Sequence, residues 1–216
     1  ALHLFPKICG VSGKVALTEW TNYALTMRLK AAAMGLPYLP CRNMMGTDTF
    51  KYSAAKMITC PFTGKKLAAL PALYPDVAVI HVHSADIYGN CRFKGIAVSD
   101  IDLANASKRL IITTERLIPT REIKRDPTRT RIPYHLVDAV CEVPFGAYPG
   151  TMPYEYFSDE EHLKEWLTLE RDPEKFQEFL KRNVFDCKNH EEYIQKNGGS
   201  DKMRELRVKE ILLEEG

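Results

Sequence analysis

Two runs of apolar, largely β-branched residues constrain this chain more than anything else in it. Val77-Ala78-Val79-Ile80-His81-Val82 is apolar at consecutive rather than alternate positions, and Arg109-Leu110-Ile111-Ile112-Thr113-Thr114-Glu115 repeats the pattern. A strand that is apolar on both faces belongs in a parallel sheet with helices on either side. Between the runs, Asp100 to Lys108 reads as a short helix, with Ser99 or Asp100 as its cap and alanines facing inward. A third segment, Leu136 to Val143, alternates as a half-buried strand and gives way to Pro144-Phe145-Gly146. Together they predict an α/β fold: an open, mainly parallel sheet covered by helices.

Upstream, Thr18 reads as the N-cap of a helix that runs to Met34 and stops at Gly35, the favoured residue just past a helix end. Residues that precede proline avoid the helical region, so Leu36 to Pro40 is expected to be extended. A loop follows from Arg42 to Asp48, and Ile58 to Leu67 reads as a hairpin about Thr63-Gly64-Lys65. Residues 119–133 form a polar crossing rich in Pro and Arg. Three amphipathic helices are expected at the C-terminal end, capped at Ser158-Asp159-Glu160-Glu161, opened by Asp172-Pro173-Glu174, and starting near Ser200. The expected division is an α/β domain over residues 1–157 and a helical C-terminal extension over 158–216 packed on it.

Composition then narrows the function classes. A chain of 216 residues can bury its own core without a disulfide or metal staple. Its 30 basic and 28 acidic residues give a net charge of +2, too balanced to point to nucleic acid or an anionic membrane surface. No apolar run approaches the ~20 residues of a membrane span, and Pro6 and Gly10 interrupt any signal-peptide core near the start. The cysteines (Cys9, Cys41, Cys60, Cys91, Cys141, Cys187) form no CxxC, as expected of reduced thiols in a cytoplasmic protein. Cys41 beside Arg42 and Cys91 beside Arg92 are the nominal thiolate candidates, since a reactive thiolate needs a basic setting.

His81 and His83 lie two apart on a predicted strand, so both project to one face, with Asp86 and His135 near in pattern. A catalytic zinc needs three protein ligands, and the pair lacks a third at suitable spacing, so hydrogen-bonded structural histidines are the expectation. No HExxH, GxSxG, Walker A or GxGxxG motif is present. Glu115 closes a buried strand, where open α/β sheets place functional groups. It could act as a base or nucleophile, or pair with Arg116, Arg121 or Arg125. Arg121, Lys124, Arg125, Arg129 and Arg131 form a basic cluster that reads as a solvated or interface loop, though it would also suit a polyphosphate such as coenzyme A.

The ordered segments then become familiar. Glu19-x-Thr21-Asn22, Gly35-Leu36-Pro37-Tyr38-Leu39-Pro40, Gly46-Thr47-Asp48 and Pro61-Phe62-Thr63-Gly64-Lys65-Lys66-Leu67 are followed by Pro71-Ala72-Leu73-x-Pro75-Asp76-Val77-Ala78. After these come His81-Val82-x-x-Ala85-Asp86-x-Tyr88-Gly89-Asn90 and Val137-Asp138-Ala139-Val140-x-Glu142-Val143-Pro144-Phe145-Gly146-Ala147. Over roughly residues 15–200 this series resembles the α subunit of family I coenzyme A transferases, above all the glutaconate type. The resemblance implies a CoA-transferase-like (NagB-like) fold and an exchange of coenzyme A between an acyl-CoA and a carboxylic acid. It implies a cytoplasmic hetero-oligomer whose β subunit supplies the nucleophilic glutamate from a Ser-Glu-x-Gly setting. This chain has no Ser-Glu dipeptide, so it is expected to carry no catalytic residue and to need no metal or cofactor beyond the thioester substrate. What the resemblance assigns to it is substrate binding at Asn22, Gly46, Thr47, Asp48, Gly89 and Asn90.

Two departures from the family stand out. The motif ending Pro-Phe-Gly-Ala usually continues His-Pro and here reads Tyr148-Pro149, so no role for that histidine carries over. Residues 1–14 do not resemble the family's first strands and Gly-rich loop, so the domain is expected to be N-terminally incomplete, in keeping with Ala1 in place of methionine. One alternative is the branch of the superfamily that opens rings of CoA-linked steroid intermediates by hydrolysis. That branch carries a glutamate on its first helix where Asn22 stands here. A truncated, non-catalytic scaffold is the other alternative, because missing strands leave a sheet edge uncovered.

Overall fold

Short-range signals mark many of the chain's elements, and tertiary packing joins them. The computed structural model describes residues 18–169 and 172–214; Cys9 and the divergent residues 1–14 lie outside them. In chain order the elements begin with α1 (Asn22–Ala33), β1 (Tyr38–Cys41), α2 (Asp48–Lys51), β2 (Lys56–Thr59) and β3 (Lys66–Pro71). Next come β4 (Ala78–Val82), β5 (Ser84–Ala85), β6 (Cys91–Arg92), α3 (Asp100–Ala106), β7 (Leu110–Thr114), α4 (Thr120–Arg125) and β8 (Ala139–Glu142). The C-terminal part holds α5 (Glu160–Leu169), α6 (Pro173–Leu180), α7 (His190–Lys196) and α8 (Gly199–Glu214).

The start of α1 corrects the sequence expectation. Thr21, not Thr18, is the N-cap, its hydroxyl accepting from the N–H of Ala24. Its end is as expected. Gly35 takes φ +69°, and the N–H groups of Gly35 and Leu36 return to the carbonyls of Ala32 and Ala31. That pair of bonds is the Schellman arrangement, which satisfies carbonyls a helix end would otherwise leave bare.

The central sheet is open and parallel, in the order β4-β7-β8. Its register pairs Ala78 with Leu110 and Ile111 with Ala139. The Asp138 carboxylate also accepts from the N–H of Leu110 at 2.7 Å, tying the start of β8 to the start of β7. Ile80, Val82, Leu110, Ile112 and Ile132 form the main core, closed by Ala104 of α3. Small residues allow the next layer to approach closely: Ala32 of α1 and Ala106 of α3 share a second cluster with Leu29.

β4 is not buried on both faces, however. Its residues alternate, and Val79 is 61% exposed. A run of apolar residues shows that a strand can be covered twice, but not that its own chain covers it. β8 likewise lies mostly exposed rather than half-buried. The predicted hairpin is present as β2 and β3, within a separate antiparallel sheet of order β1-β3-β2.

Among the described residues beyond 158 there are four α-helices rather than three. The addition is α7, and a π-helical stretch, Lys181–Phe185, continues α6. The cap of α5 is Asp159, whose carboxylate accepts from the N–H of His162. Tyr148, Met152 and Tyr156 share one core with Ile194, Met203 and Leu206, so the segment after β8 and the last helices pack as a unit.

One turn is packed without spare room. Gly89 has φ +98°, and a Cβ there would stand 2.7 Å from the Cβ of Val137. Gly89→Ala should therefore lower stability by on the order of 2 kcal/mol. A urea midpoint unchanged from wild type would show that this turn is not anchored as described.

Candidate functional site

At the carboxyl end of the parallel sheet, Glu115 follows β7 and is only 7% exposed. It accepts three hydrogen bonds from separate parts of the chain. The His81 ring donates from Nε2 at 2.7 Å, the Tyr156 hydroxyl at 2.6 Å and the N–H of Phe145 at 2.8 Å. The arrangement continues outward. His81 Nδ1 meets the Thr113 hydroxyl at 2.8 Å, and the Tyr156 oxygen accepts from the N–H of Ala147 at 3.0 Å. Phe145 itself has φ +61°.

Burial alone would raise the Glu115 pKa, but the donors His81, Tyr156 and Phe145 outweigh it and hold the carboxyl below the usual glutamate range. Burial, with the neighbouring carboxylate, pushes the Tyr156 phenol well up, so it stays protonated as the donor. Glu115 is thus a fixed anion with both oxygens engaged, not a poised nucleophile. The expected pairing with Arg116, Arg121 or Arg125 is replaced by this set, and Arg116 pairs with Glu155 instead.

His81 and His83 have separate partners. β4 ends at Val82, and beyond it His83 is buried, with Nε2 donating to the Pro153 carbonyl at 2.7 Å and Nδ1 accepting from the N–H of Lys94 at 3.2 Å. Burial lowers its pKa, in keeping with a neutral ring. Cys91 is also buried, and burial followed by the charge of Asp86 raises its pKa to about 12, which removes it as a thiolate. Cys41 accepts a hydrogen bond from the N–H of Asn43.

Four of the six residues expected to bind substrate gather near the first helix. Asn22 opens α1 and is exposed. The Thr21 hydroxyl reaches Asn43 at 3.3 Å, and Ala24 packs in one cluster with Met44, which joins this helix end to the loop after β1. In that loop Thr47 donates to the Met44 carbonyl and caps α2, while Asp48 is exposed beside Lys51. Gly46 has φ +76° and open space where a Cβ would stand.

Gly89 and Asn90 sit in a different turn, after β5. There Asn90 donates from Nδ2 to Asp86 and accepts from the N–H of Tyr134, so both ends of its amide serve the fold. Sequence reasoning passes over Tyr156, Glu155 and Lys94, and names Arg92 only as a neighbour of Cys91. Nothing in the spacing links Tyr156 to a glutamate 41 residues earlier.

Comparison with known proteins fits this architecture. A family model described as coenzyme A transferase matches residues 9–143. The chain belongs to the coenzyme A transferase family. The A-subunit of glutaconate CoA-transferase from Acidaminococcus fermentans is 36% identical over 211 residues, covering 88% of this chain and 64% of the relative. The crystal structure of glutaconate coenzyme A-transferase from that organism superposes with a TM-score of 0.88 at 34% identity, covering 94% of this chain and 69% of the other.

An uncharacterized protein of Archaeoglobus fulgidus is 51% identical over 208 residues. The match takes in 96% of this chain but 46% of that relative. The decarboxylase AibA/AibB, crystallised as a cysteine-to-serine variant, is similar at a TM-score of 0.67 and 31% identity, covering 82% of this chain and 66% of the other. A protein named as a decarboxylase therefore shares this fold.

In this family member Glu115 is expected to govern acid sensitivity. A carboxyl more acidic in the folded state leaves the unfolded chain binding more protons between the two pKa values, so stability rises with pH across that window. The contribution is complete above the ordinary glutamate value of 4.5 and is lost as pH falls through the lowered one. Tyr156→Phe removes a donor, moves the Glu115 pKa back up and should cost about 1–3 kcal/mol at neutral pH. Denaturant unfolding at stepped pH should show wild type losing stability more steeply than the variant below 4.5. Parallel curves would refute the assignment.

Proposed function

We propose that the chain is the α subunit of a two-subunit CoA-transferase that moves coenzyme A between an acyl-CoA and a carboxylic acid. The observation that carries this reading is the likeness to the A-subunit of glutaconate CoA-transferase along nearly the whole chain. In the reaction, a glutamate carboxylate on the partner β subunit adds to the thioester carbonyl and expels the coenzyme A thiolate, giving a mixed anhydride. The thiolate then attacks the glutamyl carbonyl, releasing the first acid and leaving a glutamyl-CoA thioester. The acceptor carboxylate attacks that thioester and reverses the sequence, so one difficult exchange becomes several easier steps.

The division of labour fits this chain's chemistry. It has no Ser-Glu dipeptide, and Glu115 has its oxygens engaged by His81, Tyr156 and Phe145. The nucleophile belongs to the partner. This subunit shapes the acyl pocket with Asn22, Gly46, Thr47 and Asp48. Gly46 lets backbone approach the substrate, and Thr47 fixes the loop that presents it. Gly89 and Asn90 hold the turn beyond β5 rather than touch substrate.

Coenzyme A enters as a substrate thioester, and no other cofactor is needed. The free cysteines at 41, 60, 91, 141 and 187 suit a reducing, cytoplasmic setting. No helix among the described residues is long and apolar enough to cross a membrane. The ring-opening hydrolase reading is less well supported, because the amide of Asn22 cannot serve as a base for water.

Co-expression with a β subunit carrying Ser-Glu-x-Gly should give acyl-CoA:carboxylate exchange that neither chain shows alone. Borohydride should inactivate the substrate-treated complex by reducing the glutamyl thioester. No exchange with any cognate β subunit would overturn the proposal. Within an active complex, Thr47→Ala removes a cap worth ~1 kcal/mol and should lower kcat/KM about fivefold. An unchanged kcat/KM would remove the loop from the acyl pocket.

A further inference from the structure

Past the carboxyl ends of β4 and β7 lies a cavity of about 190 Å³, separate from the Glu115 cluster. His83, Arg92, Lys94, Arg116, Glu122 and Arg129 are among its lining residues. Cations dominate this set, and they still outnumber carboxylates when Glu155, which pairs with Lys94 and Arg116, is counted against them.

Among the described residues Arg92 and Arg129 have no ion-pair partner, whereas Lys94 and Arg116 pair with Glu155. Arg92 Nη2 donates to the carbonyls of Glu122 at 2.8 Å and Asp126 at 2.9 Å, both neutral acceptors. Its Nε is buried and has no hydrogen-bond partner among the described residues. Buried donors are almost always satisfied, so an unpartnered N–H on a cavity-lining arginine is unusual and leaves that guanidinium short of acceptors.

The walls are preset. His83 fixes the backbone of Lys94 and the carbonyl of Pro153, and Glu155 fixes the side chains of Lys94 and Arg116. Open α/β sheets bind ligands at this end of their strands. The cavity is smaller than the ~300–1,000 Å³ clefts that enclose drug-sized ligands, which suits one charged group rather than a nucleotide.

We propose that this cavity is a binding site for a compact oxyanion, a phosphate or carboxylate group, held by Arg92 and Arg129 with Lys94 and Arg116 behind them. Guanidinium groups match such oxyanions through paired N–H donors. The site does not depend on the transferase reading, because it is tested by binding and not by turnover.

The test is calorimetric titration of the intact chain with inorganic phosphate at low ionic strength. Saturable one-site binding is expected, weakened at least about tenfold by Arg129→Glu. Lys175→Glu on α6, which contributes nothing to the cavity, should leave it unchanged. Arg92→Lys keeps the charge but removes Nε, and should also weaken binding while its thermal melt reports that the fold is intact.

Titrations with coenzyme A, dephospho-coenzyme A and succinate distinguish the source of the anion. If Arg129→Glu weakens coenzyme A but not its dephospho form, the group is the coenzyme's 3′-phosphate. If coenzyme A is indifferent to the variant while phosphate or succinate is weakened, the site takes a free anion. No saturation by about 10 mM phosphate, or equal weakening by Lys175→Glu, would overturn the proposal.

Discussion

The charge of Glu115 is the point on which the carboxyl end of the sheet depends. An ionised carboxylate out of contact with water is costly unless donors surround it, and here they come from a strand, a loop and a tyrosine far along the chain. Each donor brings its own segment into place. His81 fixes the end of β4 against β7, Phe145 fixes the loop after β8, and Tyr156 fixes the stretch that carries the C-terminal helices. The same tyrosine oxygen holds Ala147, so the loop is gripped at two places by one connected set of bonds. Truncating any member leaves another buried polar group without its partner, which costs more than the bond itself contributes.

That arrangement also explains how the C-terminal helices belong to the sheet. Their contact is not a hydrophobic face laid on the strands. It is a core built jointly by Tyr148, Met152, Tyr156, Ile194, Met203 and Leu206. Asp159 serves both sides of this junction, accepting from the Tyr148 hydroxyl and capping α5. The fold is a layered α/β sheet whose last helices are attached through the loop that follows its final strand.

Much of this is legible in the sequence wherever the signal is local. The apolar runs at 77–82 and 109–115 point to parallel strands, Gly35 marks a helix end, and Thr63-Gly64-Lys65 marks a hairpin. The face of β4 is not legible, because Val79 is as hydrophobic exposed as it would be buried. α7 is legible in principle. Asn189 caps it by accepting from the N–H of Glu192, and the Glu192 carboxylate reaches back to Lys188, close to a capping box. At the site, His81 and Glu115 stand out by position at strand ends, but their partner Tyr156 does not, because only the folded chain brings it near. Gly89 and Asn90 stand out through family likeness, and geometry gives them a turn to hold.

Phe145 adds a last consequence. A non-glycine residue in the left-handed region is disfavoured by roughly 1–2 kcal/mol. A hydrogen bond to a charged acceptor contributes a similar amount, about 1.5–3 kcal/mol. The two nearly cancel at this one residue, so the left-handed turn after β8 is held in place by a charge at the end of the neighbouring strand.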